Sequence, residues 1–252
     1  MTRIVATGFY GQYNLGDEAF CFVLRDAGIA TKFTAGAIAQ DATHVIVGGG
    51  EFEPWMVRRA PTDAKLYAVG IGLVRDKVGE ERASWLRRFE YVAVRTLACQ
   101  KLASEWGIRS VLRSDLALLL APNTSYAERF KDRDVIVPRI GVPIESAPTF
   151  GSPVVIPFWP YDMNTTCPYE VFDPKNDPRV ALSALIGAKR VFHYGKLHAK
   201  VFAYTAGVED VDLAPDDKTR AFSEMTNRFS RYALTALARV SIENLRTRIG
   251  LR

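Results

Sequence analysis

Gly8-Phe9-Tyr10-Gly11-Gln12-Tyr13-Asn14-Leu15-Gly16-Asp17-Glu18 is the stretch whose reading decides the fold. Before it, Arg3-Ile4-Val5-Ala6-Thr7 is a short apolar run that reads as a first strand. After it, Ala19-Phe20-Cys21-Phe22-Val23-Leu24-Arg25 reads as a buried helix. The glycines between them permit tight turns and close approach of a ligand to the backbone. Asn14 or Asp17 can cap the helix that follows. A glycine-rich turn from a first strand into a helix N-terminus is an anion site in waiting, because free N–H groups and the helix dipole point at it. The spacing is not that of the dinucleotide-binding G-x-G-x-x-G fingerprint.

The pattern repeats along the chain. His44-Val45-Ile46-Val47 is a buried strand that ends in Gly48-Gly49-Gly50, and Lys65 to Gly72 again runs from an apolar strand into glycine. Glu80 to Phe89 reads as a helix, Tyr91-Val92-Ala93-Val94 as a strand ending at Arg95, and Thr96 to Trp106 as a helix stopped by Gly107. Ile108 to Leu112 is a short strand, and an apolar run follows Ser114-Asp115. Strands alternating with helices imply a parallel sheet covered on both faces. In such a sheet the strand ends lie along one edge, so Gly11, Gly49, Gly72 and Arg95 are expected to share a cleft.

Apolar character ceases near residues 121–125, which sets a boundary between an N-terminal unit, 1–121, and a smaller C-terminal one, 122–252. In the second, strands are expected at Asp134–Val137, Pro153–Pro157 and Arg190–Gly195, and helices at Arg179–Ile186 and Leu197–Thr205. Phe158 to Pro178 reads mostly as loop. One long final helix is expected from about Thr219 to Arg248, with Phe222, Met225, Phe229, Tyr232, Ala236 and Val240 on its buried face.

Hydrophobic residues make up 48% and charged residues 24% of the 252, an ordinary globular balance. No apolar run approaches the roughly 20 residues that span a bilayer, and no secretory leader pattern opens the chain. The expectation is a cytoplasmic protein. Cys21, Cys99 and Cys167 are odd in number and widely spaced, as reduced thiols are. His44, His193 and His198 offer no paired-histidine spacing, so neither a metal nor another cofactor is expected. The net charge is +5, yet from residue 218 onward eight cationic residues face two glutamates. An acidic partner, nucleic acid included, fits that segment; so does a solvated basic flank.

These landmarks, in this order, resemble the polysaccharide pyruvyl transferase family. The matching pieces are G-F-Y-G-Q-Y-N-L-G-D-E at 8–18, V-G-G-G at 47–50, A-V-G-I-G at 68–72, V-R at 94–95, S-D-L-A-L at 114–118 and G-K-L-H-A-K-V-F-A at 195–203. The first and last are the most specific. Lys196 stands where that family usually has arginine, and Thr96 follows Arg95 where it has aspartate. The resemblance implies an α/β protein with two Rossmann-like domains, as in two-domain (B-type) glycosyltransferases, with the second domain reduced. It also implies transfer of the pyruvyl group of phosphoenolpyruvate onto two sugar hydroxyls of a glycan. Two alternatives stand beside it: a glycosyltransferase using a nucleotide-sugar donor, with a glycan or a modified nucleic acid as acceptor, and a non-catalytic binding protein of the same fold.

Phosphoenolpyruvate chemistry needs cations and backbone N–H groups for a carboxylate and a phosphate. Arg95 and Lys196 can supply charge, with Gly11, Asn14, Gly49, Gly50 and Gly72 supplying backbone and turn. His198 has the side-chain type that exchanges protons near neutrality. Asp17, Glu18, Glu51 and Glu53 are the available bases, with Asp17 and Glu18 joining His198 as the expected catalytic set. The bland counterpart of each is a helix cap, a turn histidine or a solvated loop acid.

Overall fold

The computed structural model describes residues 2–75, 79–149, 151–163 and 167–251; Arg252 of the basic segment and residues 164–166 of the expected long loop lie outside them. The first half runs β1 (Ile4–Thr7), α1 (Leu15–Asp26), β2 (Lys32–Thr34), β3 (His44–Gly48) and β4 (Lys65–Ile71). It continues with α2 (Gly79–Leu86), β5 (Tyr91–Val94), α3 (Leu97–Glu105) and β6 (Val111–Leu112). The second half holds β7 (Asp134–Val137), β8 (Val154–Val155), β9 (Glu170–Val171), α4 (Pro178–Gly187), β10 (Arg190–His193) and α5 (Leu197–Ala206). It closes with β11 (Glu209–Asp212), α6 (Asp217–Arg228) and α7 (Arg231–Ile249).

All pairings are parallel, in two separate sheets ordered β2-β1-β3-β4-β5-β6 and β11-β10-β7-β8-β9. The chain is therefore an α/β protein built of two Rossmann-like units. Parallel strands covered on both faces carry near-continuous apolar runs. Val45, Ile46 and Val47 of β3 and Ala68 and Val69 of β4 are accordingly fully buried.

Several helices start at a side-chain cap. The Asn14 side chain accepts the N–H of Gly16 at 3.1 Å, so Asn14 rather than Asp17 caps α1. Thr96 caps α3 through Cys99, and Asp177 caps α4 through Arg179. Phe20 and Leu24 of α1, Leu182 and Leu185 of α4, and Phe202 of α5 belong to one continuous buried cluster, so the helices facing the junction share a core.

The single long C-terminal helix is corrected. Phe229 is extended (φ −126°, ψ 135°) and ends α6, and the Ser230 side chain accepts the Ala233 N–H to start α7. The apolar phase is not carried across that break. Phe222 and Met225 are buried, Phe229 is half-buried, and Tyr232 is 82% exposed. Instead α7 buries Leu234, Ala238, Ile242 and Leu245, and packs back on β4 and the 116–119 turn of the first half. No described helix is long and apolar enough to cross a membrane. The three cysteines are free thiols, two buried and Cys167 half-buried.

The close pass of α4 over the 124–130 segment needs a residue without a side chain. A Cβ at Gly187 would overlap the carbonyl oxygen of Ala127, a backbone atom that cannot rotate away. Gly187→Ala should therefore cost about 1–3 kcal/mol or more in urea unfolding. Gly107→Ala, at φ +68° in open space, should cost only the backbone strain of about 1–2 kcal/mol. Equal stability of the Gly187 variant and the parent would contradict this packing.

Candidate functional site

In open parallel sheets, ligands bind beyond the strand C-termini where strand order reverses. In the first sheet that point lies at β1 and β3; in the second, at β7 and β10. The two points face each other across a cleft of about 640 Å³. From the first sheet come Asn14 and Asp17 after β1, Gly50 and Glu51 after β3, and Arg95 after β5. From the second come Arg139 after β7, and Gly195, Lys196 and His198 after β10.

The floor is made where the N-termini of α1 and α5 meet. A Cβ at Gly16 would overlap the imidazole of His198, so the missing side chain lets the two helix ends approach this closely. His198 Nε2 lies 3.6 Å from Asp115 Oδ2, and Arg95 Nη1 lies 3.5 Å from the same oxygen. Asp115 is anchored by its other oxygen, which accepts the Ala117 N–H at 3.0 Å. Burial works to raise the Asp115 carboxyl, but the approach and charge of His198, the charge of Arg95 and the Ala117 N–H outweigh it and hold it below the usual carboxylate range.

Asp17 goes the other way. Burial pushes its carboxyl up to about 6, against the pull of His198 and Arg95 and with the repulsion of Asp115 and Glu18. It is 3% exposed, and its Oδ1 has no hydrogen-bond partner among the described residues. Gly49 and Gly50 make room for that oxygen, since a Cβ on either would lie within 3.0 Å of it. The two carboxylates beside His198 are thus driven in opposite directions, Asp17 up and Asp115 down.

On the opposite wall, α5 starts at Lys196 with no side-chain cap, and Gly195 to Ala199 line the cleft. Lys196 itself is held by Asp162, with Nζ 2.6 and 2.7 Å from the two carboxylate oxygens. Burial leaves Asp162 above the usual carboxylate range despite that partner. Arg139 donates to the Tyr194 carbonyl at 3.1 Å and makes no ion pair among the described residues. Lys218 of α6 reaches across to Glu51 at 2.5 Å.

Asn14, Asp17, Gly50, Arg95, Lys196 and His198, all expected from sequence, line this one cleft. Gly11 and Glu18 do not line it: the Gly11 N–H donates to the Glu18 carboxylate at 2.7 Å, closing the turn that precedes α1. Burial raises the Glu18 carboxyl. Gly72 sits behind the cleft wall, where a Cβ would lie 2.7 Å from Arg95 Nη2. Glu53 is paired with Arg82. Sequence reasoning missed Asp115 as a site residue, although its S-D-L-A-L segment was visible, and missed Arg139 altogether. No described group of three or more His, Cys, Asp or Glu side chains could hold a metal ion.

No protein-family model matches the chain, and no curated protein matches it in sequence. The resemblance to pyruvyl transferases therefore rests on its motifs alone. Among solved structures, an uncharacterised protein of Klebsiella pneumoniae is similar at TM-score 0.58 and 14% identity, over 91% of each chain. That likeness is one of fold. The wall teichoic acid polymerase TagF is similar at TM-score 0.49 and 9% identity, over 98% of this chain and 84% of that one. The spinosyn forosaminyltransferase SpnP gives 0.36 and 12%, over 98% and 95%.

The raised Asp17 carboxyl fixes a sign for stability. The folded state holds its proton up to about pH 6, while the unfolded chain releases it near 4. Ionised Asp17 therefore costs stability progressively between those values and in full above 6. Asp17→Asn should be more stable than the parent at pH 7, by up to about 3 kcal/mol. The advantage should vanish below about pH 4. Denaturant unfolding across that range checks it; a variant equally stable at both ends would show that burial does not perturb this group.

Proposed function

We propose that this chain is a transferase that moves a glycosyl unit from a nucleotide-sugar donor onto a hydroxyl of a glycan. The observation that carries the reading is the Asp17 carboxyl, buried, unpartnered at Oδ1 and held near 6, beside His198 in a cleft between two facing switch points. A carboxylate that exchanges its proton near neutrality suits a general base. Asp17 takes the proton of the acceptor hydroxyl as its oxygen attacks the anomeric carbon. The bond from that carbon to the donor phosphate breaks, and the nucleoside diphosphate leaves with the electron pair. The open N-terminus of α5 and Arg139 receive its negative charge. His198, backed by the ionised Asp115, is placed to hydrogen-bond the departing phosphate.

Two features favour this donor over phosphoenolpyruvate. A small, densely charged donor needs several cations, yet Arg95 lies against Asp115 and Lys196 is held by both oxygens of Asp162. The cleft also falls within the roughly 300–1,000 Å³ of sites for drug-sized ligands, with Trp55, Phe158 and Trp159 on its walls. Pyruvyl transfer remains the second reading because one contact favours it: the two most specific segments of the resemblance, 8–18 and 195–203, meet at Gly16 and His198.

Thermal midpoints with ligands separate the two, since a ligand of the folded state stabilises by mass action. Nucleoside diphosphates or nucleotide sugars should raise the midpoint and phosphoenolpyruvate should not. Protection by phosphoenolpyruvate alone would replace this reading with pyruvyl transfer, and protection by neither would end both. With a donor in hand, kcat/KM should rise with pH through about 6 as Asp17 ionises. His198→Ala should lower turnover by roughly 10²–10³-fold, the order for losing one hydrogen-bond donor to the charge that develops.

A further inference from the structure

Aromatic side chains stand exposed or half-buried beside the cleft. Phe9 of the β1–α1 turn packs edge-on against Trp55, ring centroids 5.2 Å apart. From the second half, Trp159 and Tyr161 make a similar pair at 4.8 Å. Phe9 is 36% and Tyr161 59% exposed, and nearby Tyr13 is 54% exposed. These three are among only eight large apolar side chains exposed in the described chain. The two pairs are tied together, because the Trp159 indole N–H donates to the Gln12 carbonyl at 3.1 Å, in the same turn that carries Phe9.

Exposed apolar surface concentrated at one place marks a binding site. Its chemistry is specific here. Flat rings stand beside groups that pair with hydroxyls: Gln12, Asn14 and Glu51 line the same cleft. A pyranose matches this mixture, since its C–H faces lie on the electron-rich face of a ring while its hydroxyls project sideways to polar groups. A lipid chain offers no hydrogen-bonding group to the remaining donors and acceptors of Gln12, Asn14 and Glu51.

We infer that Phe9/Trp55 and Trp159/Tyr161 form a sugar-binding subsite at the mouth, which holds the units of an oligosaccharide acceptor beyond the one that reacts. The inference rests on the transferase reading for where the reacting unit lies. The donor occupies the floor and the α5 wall, so what stacks at the mouth is acceptor, and two aromatic pairs on two walls suit a chain of sugars rather than one ring. The acceptor class is therefore a glycan of at least two residues.

The test is binding of the full chain to an array of immobilised microbial oligosaccharides and matched monosaccharides, with the Phe9→Ala/Tyr161→Ala double variant in parallel. Both positions are exposed, and thermal midpoints confirm that the variant folds. The parent should retain oligosaccharides and not the monosaccharides. The double variant should bind about 10-fold more weakly, the order expected for lost aromatic stacking. Its thermal protection by uridine and guanosine diphosphates should match the parent's. Retention of no glycan, equal retention of monosaccharides, or unchanged binding by the double variant would each overturn the subsite. Failure of nucleotide protection with glycan retention intact would instead remove the donor reading and leave the subsite standing.

Discussion

The ring of His198 occupies the space that a side chain at position 16 would need. Most of the site depends on that contact. It brings the N-terminus of α1, from the first sheet, against the N-terminus of α5, from the second. Each contributes a partial positive charge of about half a unit. Backbone and side-chain links surround it: the Leu15 N–H donates to the Phe158 carbonyl at 2.9 Å, and Trp159 to Gln12 at 3.1 Å. These short links help hold the two switch points face to face. A larger residue at 16 would part the helix ends and move His198 away from both Asp17 and Asp115.

The same crowding sorts the two buried carboxylates. Both are almost wholly removed from water, which by itself raises both. Asp115 lies within charge contact of His198 and Arg95 and accepts a backbone N–H, so it stays ionised. Asp17 feels those cations less than it feels burial, and Asp115 repels it, so its proton is held to about 6. Pairs of acids driven apart in this way divide the work of a site, one fixing geometry and the other exchanging a proton. The division follows from which carboxylate the cations touch.

Much of this was legible in the sequence, and the exceptions have physical reasons. Strand-to-glycine runs at 44–50 and 65–72 announced a parallel sheet because buried strands leave an unbroken apolar signal. Three of the four edge strands leave none: Lys32–Thr34, Glu170–Val171 and Glu209–Asp212 are short or polar, since one side of each has no neighbouring strand. The break at Phe229-Ser230 was hidden because apolar residues kept helical spacing across it, while the chain turned and left Tyr232 in solvent. At the site, residues in turns of distinctive composition, such as Asn14, Asp17 and His198, could be found. The Lys196–Asp162 pair could not, because its partners are far apart in sequence and only the fold brings them together.

The charge of the C-terminal segment is largely spent on structure. Arg220 pairs with Asp217 and Arg228 with Glu224, each at 2.9 Å. Arg231 lies over the Tyr204 ring, Arg248 lies over Tyr91, and Arg246 donates to the Ala27 carbonyl. The last two bind α7 to the first half from behind, where its apolar face is buried. In front, the halves are joined at the cleft by Lys218 and Glu51, whose side chains are 46% and 25% exposed. A solvated ion pair contributes roughly 0–1 kcal/mol, far less than a buried apolar helix face. The two ties are therefore unequal. The rear one, with the contact at Gly16 and His198, helps hold the sheets face to face. The front one places a lysine where an anionic ligand can take it from Glu51 at small cost, so the cleft can gain a cation without disturbing the junction that builds it.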